Sequence, residues 1–149
     1  MEILSNFAER LNELIIEKDL TQSKLAESIN VEPSTISRYL SKQNIPEIDI
    51  LIRIADYFNC SVDFLIGRTE IVSSSKTYNE CPQFSIQFKK LIKRLGVSRY
   101  ELQKTTKISK SIMYYWETGI NQPSIENLIK IADKYDYTLD FILGRVEFE

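Results

Sequence analysis

The 149-residue sequence predicts an all-α protein made of two tandem domains, each of five short helices. Two observations carry that expectation. A shift of 77 residues lays Phe7–Arg68 over Phe84–Arg145 without a gap. Leu14 then meets Leu91, Leu25 meets Leu102, Pro46 meets Pro123, and "DFLIGR" at 63–68 answers "DFILGR" at 140–145. Repetition on that scale means two copies of one structural unit. Within each copy, apolar residues recur at spacings of three and four, which is the period of an amphipathic helix. The domains are expected at residues 1–69 and 83–149, with 70–82 as a linker.

The elements of one copy follow in order. Phe7, Leu11, Leu14 and Ile15 mark a first helix, which Asp19 and Leu20 end. Thr21 is placed to cap a second helix from Gln22 to about Ile29, with Leu25 and Ile29 inward. In the second copy Gly96 stands where the first helix ends, and "SRYE" at 98–101 reads as a capping box. A tight turn follows, "NVEP" at 30–33 and "KISK" at 107–110. Pro33 suits the first position of a third helix, where a missing N–H costs nothing, and Ser109 suits the cap. Ile36 and Tyr39 are expected to point inward, leaving Ser34, Thr35, Ser37 and Arg38 outside. The matching residues are Met113 and Trp116 inward, with Ser111, Ile112, Tyr114 and Tyr115 more open. The fourth helix carries Ile48, Leu51, Ile52, Ala55 and Phe58, matched by Ile125, Leu128, Ile129, Ala132 and Tyr135. Acidic residues fill its first turn, where the helix dipole favours them. Ser61 and Thr138 cap a short fifth helix. Residues 70–72 and the C-terminal "RVEFE" are the two stretches that read as short edge strands.

Composition narrows the function. The chain is 43% apolar and 27% charged, enough for packed cores. No apolar run is long enough to span a membrane, and "EILSNFAERL" after Met1 is no secretory signal. Cys60 and Cys81 lack metal-ligand spacing, so a cytoplasmic protein with reduced thiols is expected. There is no histidine, hence no ready general base near neutral pH, and no glycine-rich phosphate loop. Neither an enzyme, a cofactor nor a metal site is expected. Asp63 and Asp140, which could be mistaken for a catalytic pair, are the same helix first-turn position in two copies.

Two short helices joined by a turn of about four residues can present the second helix to the DNA major groove. Longer spans of this chain, "TQSKLAESINVEPSTISRYLSKQNIPEIDILIRIADYFNCSVDFLIG" and "SRYELQKTTKISKSIMYYWETGINQPSIENLIKIADKYDYTLDFILG", resemble the phage repressor and Cro-type helix-turn-helix family, also called the xenobiotic-response-element family. Trp116, Glu117, Gly119 and Pro123 carry the likeness in the second copy. Tyr39, Pro46 and "SVDFLIG" carry it in the first. The resemblance implies lambda-repressor-like domains that bind double-stranded DNA and regulate transcription, with repression the expected outcome. It implies phosphate contact at Gln22 and Arg99. It implies base contact at Pro33 and Ser34, at Lys110 and Ser111, and further along at Ser37, Arg38, Tyr114 and Tyr115. The turn after helix 3 would meet the DNA backbone through Lys42–Asn44 and through Asn121 and Gln122. The usual glycine of the helix 2–3 turn is Asn30 here, which tolerates a left-handed backbone, and Lys107, which does so less readily.

Charge makes the copies unequal. The whole chain carries a formal −2, which by itself argues weakly against nucleic acid. Residues 1–72 hold 7 Lys+Arg and 12 Asp+Glu, a net −5, while residues 73–149 hold 12 and 9, a net +3. Arg99, Lys104, Lys107 and Lys110 concentrate on helices 2–3 of the second copy, which is therefore expected to supply most of the phosphate grip. A linker from Arg68 to Gln83 could reach up to ~45 Å, against ~34 Å between half-sites one helical turn apart. A homodimer is equally admissible. For each of these cations the alternative is a merely solvated surface. For Tyr114 and Tyr115 it is a protein contact, and for the acidic first copy it is a protein partner in place of DNA. Trp116 is expected in the core, and Glu117 is expected to accept hydrogen bonds inside its own fold.

Overall fold

The computed structural model describes residues 2–73 and 77–147 and divides the chain into two compact units, Met1–Thr77 and Tyr78–Glu149. Unit 1 contains α1 (Ile3–Glu17), α2 (Gln22–Ile29), α3 (Pro33–Leu40), α4 (Ile48–Phe58) and α5 (Val62–Leu65). Unit 2 contains α6 (Phe84–Leu95), α7 (Arg99–Thr106), α8 (Lys110–Thr118), α9 (Ile125–Tyr135) and α10 (Leu139–Leu143). No strand occurs among the described residues. Among the described residues no helix is long and apolar enough to cross a membrane.

Helix starts follow the caps. Thr21, Ser61, Ser98, Ser109, Ser124 and Thr138 each accept a hydrogen bond from the backbone N–H three residues on. Each satisfies a donor that the first helical turn leaves open. Pro33 opens α3 without a side-chain cap. Helix ends follow the left-handed positions. Five pairs of residues 77 apart all take positive φ: Asp19 and Gly96, Asn30 and Lys107, Lys42 and Gly119, Asn59 and Asp136, Gly67 and Gly144. The backbone path is thus the same in both units even where the residue type changes. Lys107, at φ 65, occupies the turn between α7 and α8 in a conformation that glycine adopts with less strain.

The packing scheme repeats too. In unit 1, α3 packs on α1 and α2, α4 on α2 and α5, and α5 on α1. In unit 2, α8 packs on α6 and α7, α9 on α7 and α10, and α10 on α6. The first helix of each unit therefore braces the third. Phe7 of α1 meets Tyr39 edge-on at 5.6 Å. In unit 2 Trp116 is wedged edge-on between Phe84 at 5.5 Å and Phe88 at 5.2 Å, and is 1% exposed. Trp116 is core, as its spacing from Met113 predicts.

Some expectations on burial need correction. The innermost side chains of α4 and α9 include Ile54 and Ile131, both fully buried, whereas Ile52 and Ile129 are half-buried on the flank, as is Tyr135. A helix turns 100° per residue, and Ile54 sits between Leu51 and Phe58 on the inward stripe while Ile52 falls beside it.

Neither edge strand forms among the described residues. Residues 70–72 pair with no neighbouring strand; a single backbone bond runs from the Ser61 N–H to the Val72 carbonyl at 2.8 Å. Arg10 of α1 holds this segment instead, donating to the carbonyls of Phe64 at 2.6 Å and Thr69 at 2.5 Å and pairing with Glu70 at 2.9 Å. Residues 145–147 are also irregular, and 148–149, the rest of the expected C-terminal strand, lie outside the described residues, as do 74–76 of the expected linker. At the start of unit 2 the Asn79 N–H donates to the Arg145 carbonyl at 2.8 Å.

The repeated "DF..GR" motif gains a structural meaning. Asp140 accepts from the Arg145 guanidinium at 2.5 Å, both fully buried, and the Tyr78 ring covers that guanidinium at 4.0 Å. Asp63 and Arg68 repeat the bond at 2.5 Å in unit 1, nearer the surface. A buried pair of this kind loses stability steeply when one partner is removed.

Candidate nucleic-acid interface

The two candidate reading surfaces are the outward stripes of α3 and α8. Burying Ile36 and Tyr39 on one side of α3 leaves Ser34, Ser37 and Arg38 on the other, with Ser41 continuing the stripe. Thr35 lies at its border, half-buried, with its hydroxyl 3.4 Å from the Arg38 guanidinium. Burying Met113 and Trp116 does the same for α8, whose outward stripe is Lys110, Ser111, Tyr114, Tyr115 and Thr118. Spacings of one, four, five and eight from Lys110 keep these five on one face. Tyr114 is 58% exposed and Tyr115 39%. Their rings meet edge-on at 6.1 Å. Thr118 returns its hydroxyl to the Tyr114 carbonyl at 2.9 Å.

The two stripes differ in chemistry. That of α3 has small hydroxyl side chains and one guanidinium. That of α8 has two aromatic rings and an ammonium. The buried Tyr39 hydroxyl beneath α3 has its pKa raised above the usual tyrosine value, first by burial and then by Asp49 and Glu47, against a lowering by Arg38.

Unit 2 adds cations around its stripe. Tyr100, Gln103, Lys104, Lys107 and Ser109 line an open depression of about 370 Å³ next to the α7–α8 turn. Lys110 Nζ stands 5.5 Å from the centre of the Tyr100 ring. Tyr100, 61% exposed, is absent from the sequence-derived candidates although it lies two residues after the Ser98 cap. Its signal was available: an aromatic residue at the exposed start of the second helix, matched by Ser23 in the first copy.

The remaining candidates divide. Gln22, Asn44, Lys107 and Asn121 are exposed. Lys42 is exposed, and its Nζ lies 3.9 Å from Glu9 of α1, so part of its charge is answered within unit 1. Arg99 is also exposed, yet its guanidinium is engaged: Nε and Nη2 both bond to Glu117 Oε1. That bond raises the Arg99 pKa above the usual arginine value, with burial opposing it. Glu117 therefore accepts hydrogen bonds inside its own fold. The free cationic edge of α7–α8 consists of Lys104, Lys107 and Lys110 rather than Arg99.

Comparison with known proteins agrees with the repeat. A helix-turn-helix family profile matches residues 11–65 and, again, residues 88–142. Over 73 residues, 49% of this chain and 36% of the relative, the sequence is 33% identical to the HTH-type transcriptional activator BcrR of Enterococcus faecalis. Over 72 residues, 48% of this chain and 57% of the relative, it is 28% identical to the HTH-type transcriptional regulator ImmR of Bacillus subtilis (strain 168). The matched region thus spans about a third to just over half of these relatives' length. A crystal structure of a transcriptional regulator from Listeria innocua covers 78% of this chain and 96% of its own, at 30% identity and a TM-score of 0.41.

Proposed function

The chain belongs to the helix-turn-helix family in both of its halves, and on that premise we propose that it binds double-stranded DNA sequence-specifically and regulates transcription, most simply by repression. The observation that carries this reading is the outward stripe of α8 bordered by Lys104, Lys107 and Lys110. The lysines meet phosphates and fix the register, while Ser111, Tyr114 and Tyr115 reach base edges in the major groove. Blocking a promoter by occupation needs no chemistry from the protein. Gln22, Ser34, Thr35, Ser37, Arg38, Lys42 and Asn44 are the corresponding contacts of unit 1, and Arg99 and Asn121 complete those of unit 2.

A salt titration tests the proposal. Binding of the full chain to mixed-sequence duplex DNA should weaken linearly on a log–log plot as salt rises. Replacing Lys107 and Lys110 with glutamine should lower affinity for any duplex and reduce the slope by about 1.8, since each phosphate contact contributes roughly 0.9. An unaltered affinity and slope in that variant would remove unit 2 as the source of the grip.

The excess of acid in residues 1–72 favours a second reading for unit 1, in which it holds a protein partner. Protein-binding faces are anchored by large apolar and aromatic side chains. Among the described residues of unit 1 the exposed large apolar ones are Ile16, Tyr57, Ile71 and Val72, none of them on α2 or α3. The α3 stripe lacks such anchors, which supports base reading over a protein contact there.

A further inference from the structure

Both units keep an outward third helix, yet the two stripes share only one residue type at matched places, Ser34 with Ser111. Ser37 faces out where unit 2 has Tyr114, and Arg38 where it has Tyr115. Pro33 stands where unit 2 has Lys110, so one stripe opens without a donor and the other with an ammonium. A homodimer of one-domain subunits presents the same helix twice and reads a repeated or palindromic half-site. This chain presents two unlike helices from one polypeptide.

Resting on the DNA-binding reading above, we infer that a single chain recognises one non-palindromic DNA element made of two unlike half-sites. The side chains fix the chemistry of each half. Arg38 is the one guanidinium of the α3 stripe and donates from Nη2 to the Thr35 hydroxyl at a long 3.4 Å, so it keeps donors for a guanine, whose O6 and N7 accept a bidentate contact. Its half-site is a guanine step flanked by positions read by Ser34 and Ser37. The Tyr114 and Tyr115 rings offer apolar edges suited to the 5-methyl group of thymine, and Lys110 stands beside them. Their half-site is rich in thymine. The charges divide the work: unit 2 supplies the salt-dependent grip, and unit 1, with Glu27 and Glu32 close to its turn, adds selectivity with little grip of its own.

Selection of bound sequences from random duplex DNA tests this with the full chain and with two variants at exposed positions, Arg38→Ala and Tyr114→Ala. Sedimentation of the wild-type complex gives the stoichiometry. The expected result is an enriched motif with two unlike halves, occupied by one chain. Arg38→Ala should flatten the guanine preference in one half and lower affinity for the selected site about ten-fold. Tyr114→Ala should flatten only the other half, with uracil in place of thymine there mimicking its effect on wild type. A palindrome, two identical half-motifs, or Arg38→Ala leaving every position unchanged would overturn the inference. So would salt-dependent duplex binding that enriches no sequence. Absence of any duplex binding would instead overturn the DNA-binding reading itself.

Discussion

At the scale of single residues, Lys107 couples fold to function. It holds φ 65 in the turn that orients α8, a place where glycine would be less strained, and it borders the stripe proposed to meet DNA. Lys107→Gly should therefore raise unfolding stability by about 0.5–1 kcal/mol while weakening binding to any duplex, most strongly at low salt. Thermal or urea unfolding and a binding titration on the same variant check both signs. A destabilised variant would mean that the turn does not need its left-handed residue. The turn at "KISK" was legible from the residues themselves, but the need for a left-handed residue at Lys107 was legible only through the resemblance, because lysine does not announce that backbone. Arg99 shows the opposite limit. Its bond to Glu117 joins residues 18 apart on two helices, and spacing along one helix cannot reveal a contact between two.

Among the elements, α3 and α8 face outward because their inner sides are fixed. Trp116 between Phe84 and Phe88 locks α8 onto α6, and Phe7 against Tyr39 does so for α3. Trp116→Ala should cost about 3–5 kcal/mol, measured by chemical unfolding. It should also loosen duplex binding even though Trp116 touches no DNA. A variant that is destabilised by less than 1 kcal/mol would show that α8 is oriented by something else. Helix starts were the most readable feature of the sequence. Thr21, Ser61, Ser98, Ser109 and Thr138 cap where their hydroxyls predict, since a cap is a contact over three residues. The strand expected at 70–72 failed for the complementary reason, and the described part of the C-terminal one, 145–147, is irregular too. Short β-branched or aromatic runs fit a strand only if a neighbour pairs with them, and Arg10, about sixty residues away, holds the first by bonding the Thr69 carbonyl just before it and pairing with the Glu70 side chain. The Asp140–Arg145 pair was likewise hidden inside a motif noticed only for its repetition.

The whole molecule is two copies of one backbone carrying different side chains. The 77-residue shift exposed that architecture before any helix was placed, and the five paired left-handed positions carry the same register through the structure. Division of labour is less visible in the sequence, because net charge per half averages over every face. Linking two weak modules raises the effective concentration of the second once the first has bound, provided the tether can span both sites. The central claim is that the outward stripes of α3 and α8 are the surfaces that meet DNA. Its most direct test is an amide NMR titration of the full chain with a selected duplex. The account predicts that the largest shifts fall on Ser34–Ser41 and on Lys107–Thr118, saturating together. Shifts confined to α4 and α9, with both stripes unmoved, would contradict it.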